Sequence, residues 1–210
     1  MPRLSVCGRV LRVRGIGPVT NWPHFSHFSF IFRVMRIVLI VLFFFLLLHV
    51  QAQAPRDSVY YLNSRKISKA AKDYYNGKFK ASDDARTFSI LDSLKTNDDS
   101  TRPFYIYLAS KMMKRSDGAL SEELGVVCKD FIEWHPNEAI AFLYSNKTMA
   151  SREFIDNWAK TIAGEFRIDC EGKEKPCVKA SLNKAAVKCS EKNKKYLQDL
   201  FDRIEIFVKS

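Results

Sequence analysis

From Tyr60 to Phe207 the apolar residues recur at helical spacing, and extended β-branched alternation is scarce. That periodicity restricts the fold more than any other feature. Tyr60-Tyr61, Ile67, Ala70-Ala71 and Tyr74-Tyr75 keep a three-and-four rhythm that Asn76-Gly77 stops. Ser82, Asp83 and Asp84 give an acidic first turn ahead of Ala85, Phe88, Leu91 and Leu94. Pro103 stands where a helix opens, because a first-turn N–H has no bond to lose. That helix carries Phe104, Tyr107, Leu108 and Met112 and closes at Ser116-Asp117-Gly118. Ser121-Glu122-Glu123 opens another, with Leu124, Val127, Cys128, Phe131 and Trp134 on one side. His135 ends it, since a residue before proline avoids the α region. Pro136 opens the next, through Ala139, Ile140, Phe142 and Leu143, and Ser151 caps one with Phe154, Ile155, Trp158, Ile162 and Phe166.

Cys177 to Ser210 contains neither Gly nor Pro. One helix of about 31 residues there would run roughly 46 Å at about 1.5 Å per residue. A domain of this size has a radius of gyration near about 15 Å. Two helices or a sharp kink are therefore expected, with Ser190 capping the second. The fold class that follows is all-α: an irregular antiparallel helix bundle or a short stack of helical hairpins, disulfide-bridged.

Residues 35–54 read as an export signal. Arg36 provides the positive n-region, Ile37 to Leu48 form an uninterrupted apolar run of twelve, and Ala52-Gln53-Ala54 gives the small-x-small cleavage pattern. A spanning helix needs about 20 apolar residues, so the run is too short for an anchor. All 23 Asp and Glu lie after Ala54, while residues 1–54 carry six Arg and no acid. Residues 1–34 are expected to be a non-structural upstream extension before a start at Met35; a long n-region or an organellar presequence is the alternative. Residues 55–210 then form a single helical domain, exported to the periplasm or the exterior, touching membrane only through the signal before cleavage. That domain has a net charge of +5, against +11 for the whole chain.

Export changes how the cysteines read. Cys7 leaves with the leader, and Cys128, Cys170, Cys177 and Cys189 remain. An even number in an oxidising compartment suggests two disulfides with three possible connectivities. Cys170 and Cys177 flank a short polar loop, which favours closing that ring and leaves Cys128 to join Cys189. The other reading of Cys128 is a small buried hydrophobe on the apolar side of its helix. Zinc is not expected, for no C-x-x-C occurs and His135 is the sole His after Ala54. Neither a metal nor any other cofactor is implied, and no catalytic set emerges. G-x-S-x-G, P-loop, H-E-x-x-H and EF-hand patterns are missing from the sequence. Paired acids such as Asp83-Asp84 and Glu122-Glu123 sit where first turns favour negative charge.

One electrostatic feature remains. Between Cys170 and Lys195 lie Lys173, Lys175, Lys179, Lys184, Lys188, Lys192, Lys194 and Lys195 against three Glu, a net +5. The rest of the exported part is balanced, so the whole excess charge concentrates there. Such a patch suits an acidic partner, anionic lipid or anionic polysaccharide, and the alternative is a solvated helix face. Lysine without arginine and without interleaved aromatics does not suit nucleic acid.

Arg102-Pro103-Phe104-Tyr105-Ile106-Tyr107-Leu108, followed by Lys111-Met112-Met113 and Ser116-Asp117-Gly118-Ala119-Leu120-Ser121-Glu122, resembles a pattern in small secreted helical proteins of Bacteroidota-type bacteria. The similarity spans residues 101–143. It implies a bacterial origin and export, and carries over no functional residue. The expected function is a non-enzymatic exported module for an unknown protein partner. An envelope factor using the lysine patch is the first alternative, and an enzyme of unrecognised type the second. Mass spectrometry of the native protein should find its first residue at Pro55, or at Gln53 if Ala52 is the cleavage point, because proline directly after a cut is disfavoured. A chain starting at Met1 would contradict the export reading.

Overall fold

A computed structural model describes residues 57–96 and 98–210. The upstream stretch 1–34, the signal 35–54 and the cleavage point at Ala54 lie outside them. Side-chain caps set the first helices. Asp57 accepts from the Tyr60 N–H to start α1 (Ser58–Asn63), Ser68 from Ala71 to start α2 (Lys69–Tyr75), and Asp84 from Thr87 to start α3 (Ala85–Asp92). Then follow a 3-10 turn at Ser93–Lys95, α4 (Arg102–Met112), α5 (Gly118–Trp134), α6 (Pro136–Ile140) with a π turn at Ala141–Ser145, α7 (Arg152–Asp169), α8 (Glu174–Lys188) and α9 (Glu191–Lys209). Among the described residues there is no strand, so the fold is all-α. No helix among them is long and apolar enough to cross a membrane.

The helices share one hydrophobic core. α7 lies at its centre, packed against α5 and α9, and its Trp158 is 0 % exposed. The indole N–H donates to Ser110 Oγ of α4 at 2.7 Å, and the Trp158 ring meets Phe131 of α5 edge-on. On the N-terminal side, Phe104 of α4 stacks with Tyr61 of α1 and packs against Tyr75 of α2. Arg102, 1 % exposed, pairs with Asp99 and Glu138 and donates to the Thr96 carbonyl, fixing the loop before α4 against α6.

The rhythm from Tyr60 to Tyr75 reads as one helix, yet two form. Ser64 ends α1 in an extended conformation, and Ser68 is extended too, its backbone N–H donating to the Tyr105 hydroxyl while its side chain caps α2. Ile67 between them still buries its side chain. A capping serine at the right place interrupts a continuous apolar pattern, because it satisfies N–H groups that a new helix exposes. α5 likewise begins at Gly118, a turn before Ser121-Glu122-Glu123.

The C-terminal stretch divides at Ser190, which stands at the N-cap of α9. The Asn137 side chain holds the joint open. Its Nδ2 donates to the Lys188 carbonyl, and its Oδ1 accepts from the Ser190 N–H, the Ser190 hydroxyl and Asn193 Nδ2. One amide thus serves the unpaired carbonyl of one helix end and the unpaired N–H of the next.

Cys170 and Cys177 form a disulfide across the α7–α8 turn. The second bridge expected from the sequence does not form: Cys128 and Cys189 are free, buried thiols. Cys189 ends α8 beside Asn137, whereas Cys128 lies six residues before the end of α5, about 9 Å back along that helix. Cys128 fills the core as a small apolar group instead.

α5 and α7 cross closely at Gly125, where a Cβ would lie 3.0 Å from Glu165 Cβ and 3.3 Å from the Thr161 carbonyl. Gly164 of α7 has open space around the same position. Gly125→Ala should destabilise by about 1–3 kcal/mol through overpacking. Gly164→Ala should stabilise by about 0.5–1 kcal/mol through helix propensity. Thermal melts of the two variants should shift in opposite directions, by about 2–4 °C per kcal/mol. Equal shifts would refute the close crossing.

Candidate functional site

The aromatic end of α2 and the loop after it face the end of α4. Gly77, at φ 72°, turns the chain sharply after α2 so that Phe79, Lys80 and Ala81 fold back beside Tyr74. The Tyr75 hydroxyl donates to Ser58 Oγ at 2.8 Å, and its ring packs on Phe104 and Tyr107, which locks that wall. The Arg86 guanidinium lies 3.7 Å above the Phe79 ring and fixes the other side. Opposite stand Lys111 and Met112 from the end of α4 and Arg115 from the turn after it, with Leu120 of α5. Met112 and Leu120 are buried parts of the core, so the cleft floor is as rigid as the core itself.

The resulting cleft has a volume of about 600 Å³, within the range of ligand sites. Its lining includes three cations, Lys80, Lys111 and Arg115, and no carboxylate. None of the three has an ion-pair partner among the described residues; the Lys111 ammonium instead lies 5.6 Å from the centre of the Tyr107 ring. Burial raises the Tyr74 hydroxyl above the ordinary phenol range against the opposing pull of Arg115, so it stays a neutral donor. That hydroxyl has no hydrogen-bond partner among the described residues. Apolar walls, an unpaired donor and unpaired cations together suit an anion with an apolar body.

The eight lysines marked by the sequence do not form one free surface. Lys184 pairs with Glu133. Lys188 donates to the Glu133 carbonyl and rests 3.4 Å over the Trp134 ring. Lys194 pairs with Glu191, and Lys195 lies over Tyr196. Lys173, Lys175, Lys179 and Lys192 are exposed and have no carboxylate partner among the described residues. The patch is therefore half committed to internal contacts. Cys128 and Cys189 carry no sign of reactivity, since burial pushes both thiols up from the ordinary range. Among the described residues no group of three or more His, Cys, Asp or Glu is placed to hold a metal ion.

A local signal for the cleft does exist in the sequence. Basic and aromatic residues interleave at Tyr74-Tyr75 and Phe79-Lys80, and again from Tyr107 through Lys111 to Arg115. About thirty positions separate the two runs, and only the return of the chain from α2 to α4 joins them. Comparison with protein-family models, with curated proteins and with solved structures finds no match.

The unpartnered Tyr74 hydroxyl predicts a separation of effects. Tyr74→Phe should leave the unfolding free energy within about 0.5 kcal/mol of the parent, as for a substitution that removes no internal bond. A loss well above that in a denaturant titration would mean the hydroxyl serves the fold rather than the cleft.

Proposed function

We propose that the chain is an exported, non-enzymatic helical module that binds a protein partner through an acidic segment seated in the cleft between α2 and α4. One observation carries this reading: three cations without carboxylate partners line a cleft walled by Tyr74, Tyr75 and Phe79. An acidic segment with an apolar side chain matches both properties. Its apolar group would gain about 25 cal/mol per Å² of surface removed from water. Its carboxylates would meet Lys80, Lys111 and Arg115, and the Tyr74 hydroxyl would donate to one of them. The cleft side chains hold and orient a ligand; none forms a nucleophile–base pair. The apolar run with its small-x-small end, and a disulfide of the kind that persists in oxidising compartments, support export to the periplasm or exterior. The resemblance to secreted helical proteins of Bacteroidota-type bacteria points the same way.

A second reading rests on Lys173, Lys175, Lys179 and Lys192, which leave part of the C-terminal end cationic and unpaired. On that reading the protein is an envelope factor for anionic lipid or polysaccharide. The two separate in one titration. A labelled peptide of alternating Glu and Phe should bind the purified exported chain, and its Gln counterpart should not. Affinity should fall between about 0.1 M and 1 M salt, where the screening length drops from about 10 Å to about 3 Å. Lys111→Glu with Arg115→Glu should weaken binding at least about tenfold, equivalent to about 1.4 kcal/mol. Lys175→Glu with Lys179→Glu should leave it unchanged. The reverse pattern, with binding of anionic vesicles lost only in the second pair, would transfer the function to the lysine surface.

A further inference from the structure

A separate groove lies at the far end of α5. Trp134 is the last residue of that helix and is 59 % exposed, a large side chain that the core leaves out. It is nevertheless held in place. The Lys188 ammonium sits 3.4 Å from its ring centre and that of Lys184 5.2 Å, and both lysines are tethered to Glu133. The indole is thus oriented by cations without being covered by apolar side chains. Beside it opens a groove of about 440 Å³ whose lining is Lys95, Asp130, Phe131, Trp134 and His135, and neither tethered lysine.

The polar groups of this groove are few and available. Asp130 is half-buried, yet it has no ion-pair or hydrogen-bond partner among the described residues. The His135 ring stacks on Phe131, and its Nδ1 faces the Glu138 carboxylate at 3.4 Å, which leaves Nε2 as its unpartnered nitrogen. Lys95, loosely paired with Asp92 at 3.6 Å, adds a donor at the rim.

These features select among ligands. An anion meets Asp130. A cation meets Lys95 at the rim. A wholly apolar ligand would bury the Asp130 carboxylate without a partner, which costs free energy. What remains is a neutral molecule with a flat hydrocarbon face and several hydroxyls. We propose that the Trp134 groove binds a neutral sugar ring of a polysaccharide: its C–H face on the indole, its hydroxyls donating to Asp130, and His135 Nε2 and Lys95 completing the edge. This site shares no residue with the α2–α4 cleft and does not depend on the reading of that cleft.

The test is calorimetric titration of the purified exported chain with cellotetraose, maltotetraose, mannotetraose and chitotetraose. At least one should bind saturably with a Kd on the order of 0.1–1 mM. Trp134→Ala should abolish that binding, and Asp130→Asn should weaken it about tenfold or more, with the circular dichroism spectrum of both variants unchanged. Lys111→Glu with Arg115→Glu should leave it intact. No saturable heat from any of these sugars overturns the proposal, and so does binding that survives Trp134→Ala. Loss in the cleft variant alone would overturn it equally, by moving the sugar to the other site.

Discussion

The fully buried hydrogen bond from the Trp158 indole to Ser110 Oγ ties together the parts on which both surface sites rest. Ser110 in turn donates to the Ile106 carbonyl within α4, so its oxygen is set by the helix itself. The indole edge also meets Phe131 of α5. One side chain of α7 therefore positions α4, whose end and following turn carry Lys111 and Arg115, and α5, whose end carries Trp134. A buried donor without its acceptor costs about 1–3 kcal/mol, which makes this contact selective for one arrangement of the three helices. The close crossing at Gly125 reinforces it along the same α5–α7 interface, where Glu165 is buried beside Lys129. Burial raises the Glu165 carboxyl and the Lys129 ammonium counters it, so the pair is kept by mutual neutralisation rather than by solvent.

Much of the fold is legible because it depends on local chemistry. The prolines at Pro103 and Pro136 stand in the first turns of α4 and α6, and Ser190 marks the division between α8 and α9. Cys170 and Cys177 are close in sequence, and ring closure across a polar turn is a local matter. The places where the sequence misleads are those where a distant residue decides. The Ser68 cap that separates α1 from α2 is held in place by Tyr105, thirty-seven positions away, whose hydroxyl accepts from the Ser68 N–H. The pairing of Cys128 with Cys189 fails on the register of α5 against α8, which no spacing in the sequence encodes. The joint at Ser190 was visible, but its physical cause, Asn137, was not.

The candidate sites divide along the same line. Lysine density identifies the C-terminal end, yet charge density does not reveal which lysines the fold consumes. Lys184 and Lys188 lie on the surface against Glu133 and Trp134 and orient an aromatic ring. Conversely, the cleft draws its cations from Lys80, Lys111 and Arg115, which two separate basic and aromatic runs supply. Net charge describes the chain; the absence of nearby carboxylates describes the site. That difference shifts the functional reading from a diffuse basic surface toward a defined cleft.

Hydrogen–deuterium exchange of the exported chain, with and without the alternating Glu–Phe peptide, probes this account most directly. Exchange should slow in the loop at residues 76–81 and around residues 111–118, and stay unchanged at residues 173–195. Slowing confined to residues 173–195 would contradict it and return the binding surface to the lysines.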